Sequence, residues 1–151
     1  MQELYFTQKL PISLDEAWDF FSNPANLKEI TPAHMGFVVL SKHQGNTMYA
    51  GQIIRYIVKP VFGIPLKWCT EITHVVDKQY FVDEQRFGPY AFWHHQHRFT
   101  AVEDGVLMED ILHYKVPFGF LGDWVSALFV ENEVNKIFEY RKKILTERFP
   151  G

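Results

Sequence analysis

Apolar and polar positions alternate with a period of two through most of this chain and switch to a helical period near its end. Residues 3–10 alternate as a first strand. Ser13-Leu14-Asp15-Glu16 then reads as a capping box, with the Ser13 hydroxyl and the Glu16 carboxylate satisfying orphan amides of a helix start. The helix it opens carries Leu14, Ala17, Trp18 and Phe21 at helical spacing. Asn23-Pro24 stops it, because a residue before proline avoids helical angles. Residues 25–30 add a further turn or two before Thr31-Pro32.

Strands are predicted over residues 36–41, 48–59, 66–76, 80–87, 92–102 and 106–116 from their β-branched and aromatic content. Turns are predicted at Gln44-Gly45-Asn46, across residues 60–65, and at Gly88-Pro89. Asp104-Gly105 reads as a two-residue hairpin turn. Residues 120–149 hold no proline and only one glycine, Gly122, and their apolar positions recur as a drifting helical stripe. Glu131, Glu133, Lys136, Glu139, Lys142 and Lys143 form the solvated face. The order is therefore strand, two short helices, six strands, long helix. It predicts an α+β fold in which a curved antiparallel sheet of about seven strands has its concave side covered by the C-terminal helix. The space between them is the candidate site.

Composition sharpens this picture in three ways. Aromatic residues make up 17% of the 151 residues, enough rings for cavity walls as well as a core. The length predicts one domain over residues 1–151. A formal charge of −3 supplies no field to hold nucleic acid or an anionic membrane. The N-terminus has no signal-peptide pattern and no apolar run reaches membrane-spanning length, so a soluble, cytoplasmic chain without membrane insertion is expected. The single cysteine, Cys69, excludes an internal disulfide, fits a reducing compartment, and reads as a small buried side chain. No glycine-rich phosphate loop occurs, so no nucleotide or other cofactor is expected.

Several segments together resemble a known family: Asn26-Leu27 with Ile30-Thr31-Pro32, Gly63-Ile64-Pro65 with Trp68, Phe81-Val82-Asp83-Glu84-Gln85, Gly88-Pro89-Tyr90 with Trp93, His95, His97 and Phe99, and Pro117-Phe118-Gly119. The chain resembles the START-like (SRPBCC) superfamily, which includes pollen-allergen proteins and polyketide cyclase/dehydrase-type proteins. It is most similar to the bacterial ligand-binding members, whose domain also occurs fused ahead of a nucleotide-sugar-epimerase-like domain. The resemblance implies a helix-grip fold with an internal cavity for lipids, polyketides, sterols or other hydrophobic molecules. Some members of the superfamily catalyse cyclisation or dehydration, and many only bind or carry.

The chemistry-bearing residues concentrate on the strand at 92–102. Its parity puts Trp93, His95, His97, Phe99 and Ala101 on one face and Phe92, His94, Gln96, Arg98 and Thr100 on the other. A two-residue turn at Asp104-Gly105 places Phe99 opposite Asp110 and His97 opposite Leu112, with Met108, Asp110, Leu112 and Tyr114 facing inward. Arg98 then lies opposite Ile111 and diagonal to Glu109. His97 and Asp110 come within one diagonal step. Such a pair, with His95 beside it, can polarise a ligand carbonyl or move a proton, or can be a satisfied polar cluster tying strands together.

For a metal, His95 and His97 face the same way with Asp110 available as a third ligand, whereas His94 and His95 point to opposite faces. The spacing matches no recognised zinc motif, and no metal is expected. Tyr56, Trp68, Phe81, Trp93 and Tyr114 are the candidate cavity rings, joined by Leu112 and, from the helix, Leu128. Asp83 and Gln85 share the face of Phe81, and one of them enters the cavity. Gly88-Pro89 and Pro117-Phe118-Gly119 are turns at the cavity mouth.

The expected function is reversible binding of a hydrophobic or amphipathic small molecule, with Tyr56, Trp68, Phe81, Trp93, His95, His97, Asp110, Leu112, Tyr114 and Leu128 in contact with it. Alternatives are a cyclase/dehydratase using His97, Asp110 and His95, and a regulatory domain with a closed cavity and a protein partner of unspecified kind.

Overall fold

The computed structural model describes residues 1–42, 47–59, 63–117, 119, 124 and 129–151. Strand β1 (Gln2–Leu10) leads into helix α1 (Leu14–Phe21), capped by the Ser13 hydroxyl, which accepts from the Glu16 amide at 3.1 Å. Two 3-10 helices follow, Pro24–Ile30 and Ala33–Met35. Then come β2 (Val38–Val39), β3 (Gln52–Val58), β4 (Leu66–Val76), β5 (Tyr80–Phe87), β6 (Phe92–Val102), β7 (Gly105–Lys115) and helix α2 (Glu131–Arg148).

All seven strands form one antiparallel sheet in the order β1-β7-β6-β5-β4-β3-β2. This is the α+β helix-grip architecture. The bounds of β4, β5 and β6 match the alternation in the sequence to the residue. The predicted strand at 36–41 shrinks to two residues. Gly36 adopts a left-handed φ of 56° at the end of the 3-10 turn, and the Leu40 and Ser41 amides both converge on the Arg55 carbonyl, breaking the ladder. The Gln44-Gly45-Asn46 turn and residues 60–62 lie outside the described residues, as do Phe118 and most of the predicted helix before Phe129.

The hairpin register differs from the expectation by two residues. Phe99 faces Met108, His97 faces Asp110, and Val102 faces Gly105, so the turn residues are Glu103 and Asp104. Asp104 takes the left-handed conformation, φ 60°, which Asp tolerates better than most residues. Gly105 serves another purpose: a Cβ there would sit 2.1 Å from the Leu10 carbonyl oxygen. Its lack of a side chain lets the end of β1 close onto β7. Arg98 accordingly faces Glu109 directly, but its guanidinium bonds Gln96 and lies over Tyr80 instead. A shift of two preserves parity, so the inward set stays as predicted.

The core splits around an unfilled middle. Beneath α1, Leu10, Trp18, Phe20, Phe99, Val106 and Met108 pack into one end. Leu112 and Tyr114 pack against Val134 and Phe138 of α2, where Phe6 stacks on Phe138 with centroids 4.0 Å apart. A third cluster, Phe37, Val58 and Trp68, closes the β2–β4 side. No helix among the described residues is long and apolar enough to cross a membrane.

Candidate functional site

Strands β5, β6 and β7 bring two imidazoles and two carboxylates together on the concave face. One nitrogen of each ring faces Asp83 and the other faces Asp110. Asp83 Oδ2 is 2.6 Å from His97 Nε2 and 3.6 Å from His95 Nδ1; Asp110 Oδ1 is 2.8 Å from His95 Nε2 and 3.2 Å from His97 Nδ1. The two ring centroids are 3.7 Å apart, with the planes tilted by 35°. The Trp93 indole N–H donates to the other Asp83 oxygen at 3.2 Å, and Phe81 stacks on the outer side of His97 at 4.2 Å.

Burial alone would lower the pKa of His97, but hydrogen bonds to Asp110 and Asp83 outweigh it and lift the ring to about 9. His95 goes the other way, held down by burial and by its charged neighbour His97. Burial would raise both acids, yet the bonds and charges of the two histidines keep Asp83 and Asp110 below the ordinary carboxylate range. These directions put a single positive charge on the two rings, on His97, opposite two carboxylates.

Beside this box a cavity of about 200 Å³ opens between the sheet and α2. Tyr56, Trp68, Phe81, Trp93, His95 and His97 line it, as does Asp83. Leu112 and Tyr114 do not: both are 0% exposed and belong to the packed layer under α2. Asp110 sits behind the rings, off the cavity wall, bordering a smaller gap. Leu128 lies outside the described residues.

The polar tips of the cavity rings are already engaged. The Trp68 indole N–H donates to Thr70 Oγ1 at 3.0 Å, and the Tyr56 hydroxyl meets the same atom at 3.2 Å. Burial, with the Asp83 charge, pushes the Tyr56 phenol far up, so it stays neutral. Of the two inward candidates on β5, Asp83 enters the site. Gln85 instead clamps the Gly88-Pro89 turn, accepting from the Tyr90 amide at 3.0 Å and donating to its carbonyl at 2.7 Å.

A profile of the polyketide cyclase/dehydrase and lipid transport family matches residues 10–139. This chain belongs to that family. Solved structures similar to it share the fold at low identity. Protein CV1439 from Chromobacterium violaceum is 14% identical with a TM-score of 0.72, covering 100% of this chain and 99% of that one. Protein Ms6760 from Mycobacterium smegmatis is 17% identical with a TM-score of 0.68, covering 97% and 92%. A START superfamily protein from Mycobacterium smegmatis is 13% identical with a TM-score of 0.66, covering 97% and 96%. A search of curated proteins found no match.

In this member of the polyketide cyclase/dehydrase and lipid transport family, α2 contributes a feature the sequence reading passed over. Arg141 borders the cavity with its guanidinium 5.1 Å from the Phe138 ring centroid, donating from Nε to the Ile30 carbonyl at 3.5 Å. Among the described residues it forms no ion pair. Burial weakens its hold on the proton, and the charges of Asp110 and Asp83 partly restore it. The signal was present: Val134, Phe138, Arg141 and Leu145 follow the four-three-four spacing of one helical stripe, with a cation in an apolar series. Glu133, expected on the solvated face, also borders the cavity, where it pairs with Lys136.

Proposed function

We propose that this protein reversibly binds a small amphipathic molecule in the cavity between the sheet and α2. The observation that carries the reading is the cavity's asymmetry: most of its wall is aromatic and aliphatic, and its one unpaired cation, among the described residues, is Arg141. An apolar body satisfies the walls, and an acceptor or acidic end satisfies the guanidinium. The volume bounds the size. A cavity of about 150 Å³ holds benzene, so about 200 Å³ suits a bicyclic ring system or a medium acyl chain rather than a two-chain lipid.

Native mass spectrometry of the gently purified protein, followed by denaturation to identify what is released, tests this. A stoichiometric small amphiphile supports it. A clean apo mass, together with no binding of aromatic or medium-chain acids by calorimetry, overturns it.

A second reading, proton transfer in a cyclisation or dehydration, is favoured by one observation: His97 borders the cavity with Asp83 beside it and Asp110 behind it. Turnover of a bound polyketide-like carbonyl compound, lost in His97→Gln with binding retained, distinguishes it from carriage alone.

A further inference from the structure

Inside the box one polar contact is left open. Asp110 Oδ1 lies 2.8 Å from Nε2 of His95, and Asp83 Oδ2 lies 2.6 Å from Nε2 of His97. Nδ1 of His95 faces the same Asp83 oxygen at 3.6 Å, beyond hydrogen-bond range. His95 is only 4% exposed. A buried base thus confronts a buried carboxylate oxygen, an arrangement that an electrophile between them would relieve.

We propose that this position binds one divalent cation of the zinc or ferrous type, held by Nδ1 of His95, Nε2 of His97 and Oδ2 of Asp83.

The three donor atoms lie within 4.8 Å of one another. Bonds of about 2.0–2.1 Å in tetrahedral geometry set ligand atoms roughly 3.3 Å apart. The Asp83 oxygen lies 2.6 Å from one nitrogen and 3.6 Å from the other, so the short contact opens by about 0.7 Å and the long one closes by about 0.3 Å to reach that figure.

The surrounding groups are arranged as ligand supports. Asp110 takes the far nitrogen of both rings, at 2.8 and 3.2 Å, which fixes the orientation a ligating imidazole needs. The Trp93 N–H holds the second oxygen of Asp83, so the first, which meets both rings, is the one turned toward the ion. Two imidazoles and one carboxylate suit zinc or ferrous iron and suit magnesium or calcium poorly. All three ligands line the cavity, so the remaining coordination positions open toward it.

The charge balance also fits the cavity's ligand. With both rings neutral, a divalent ion and Arg141 exceed the charge of Asp83 and Asp110 by one, which an acidic ligand end would neutralise. An ion on His97 Nε2 replaces the ring's second proton, so the metal-bound protein cannot use that nitrogen for proton transfer.

Chelator-treated full-length protein is titrated calorimetrically with zinc, with ferrous iron under argon, and with magnesium as the oxygen-preferring control. One equivalent of zinc or ferrous iron is expected, with no magnesium heat. Asp83→Asn and His97→Gln should each weaken binding by about 100-fold or more, and Asp110→Asn by roughly 10- to 100-fold. No binding by the wild type, or binding unchanged in Asp83→Asn and His97→Gln, overturns the proposal and leaves only surface histidines. Should those variants not fold, imidazole ¹⁵N spectra of the wild type decide. The ion must perturb Nδ1 of His95 and Nε2 of His97; perturbation confined to the other five histidines overturns it. None of these readouts involves the cavity's organic ligand, so the two proposals fail separately.

Discussion

Asp83 stands directly across the sheet from His95, yet its short hydrogen bond runs diagonally to His97, at 2.6 Å against 3.6 Å. Asp110 mirrors it: it faces His97 and bonds more closely to His95, at 2.8 Å against 3.2 Å. This crossed bonding makes β5, β6 and β7 one unit. Removing either acid strands a buried imidazole rather than loosening one edge of a ladder.

Asp83→Asn should therefore be costly. Breaking one partner out of a buried ionic set costs about 3–5 kcal/mol, and urea unfolding at pH 7 in the presence of chelator measures it. A loss below about 1 kcal/mol, the size of an exposed pair, would show that the set is not a stabilising unit.

Stability of the chelator-treated protein should peak near pH 6–7. Between the ordinary histidine value of about 6.5 and about 9, the unfolded chain has released the proton that folded His97 keeps. Stability therefore falls as pH rises through that window, by about 3 kcal/mol as an order of magnitude. Below about 6.5 the unfolded chain protonates both rings, whereas folded His95 resists, so stability falls again on acidification. Asp83 and Asp110, held low in the fold, contribute stability present above about pH 4 and lost as pH drops further. Urea midpoints from pH 4 to 9 should trace this bell, and His97→Gln should flatten its alkaline side.

Arg141 should discriminate ligands by charge. A bicyclic aromatic acid is expected to bind about tenfold or more tightly than its primary amide, the size of one charge-assisted hydrogen bond. Arg141→Gln should remove the preference and leave the amide's affinity nearly unchanged. Equal losses for acid and amide would assign the residue to packing.

Thr70 holds the cavity rings in place by accepting from Trp68 and meeting the Tyr56 hydroxyl. Thr70→Val leaves both without that partner in a buried setting and should cost about 1–3 kcal/mol in thermal or urea unfolding. Thr70→Ser, which keeps the oxygen, should recover most of it. A valine variant as stable as wild type would refute the bracing role.

Gly105 and Asp104 should exchange the roles that the dipeptide suggests. Gly105→Ala drives a Cβ into the Leu10 carbonyl and should destabilise by about 2–3 kcal/mol. Asp104→Gly, at a left-handed position, should be neutral or stabilise by up to about 1 kcal/mol. The reverse ranking in unfolding experiments would restore the turn read from the sequence.

The alternation of residues 66–76, 80–87 and 92–102 by itself determined three central strands and the faces they present. The inward positions of His95, His97, Trp93 and Phe81 followed from parity alone, because a strand's side-chain period is a local property of its backbone. The long amphipathic C-terminal segment and the element order were enough for the helix-grip arrangement. What the tertiary structure decided was everything set by contacts between distant segments. The hairpin moved by two residues because Gly105 must pass the Leu10 backbone, which the turn dipeptide does not encode. Asp83 rather than Gln85 entered the site because Gln85 is taken by the Tyr90 backbone. Leu112 and Tyr114 share an inward face with Asp110, but α2 packs on them, and the open space lies beside them, against Tyr56, Trp68 and Trp93. Parity tells which way a side chain points; only packing across the sheet and helix determines what it meets there.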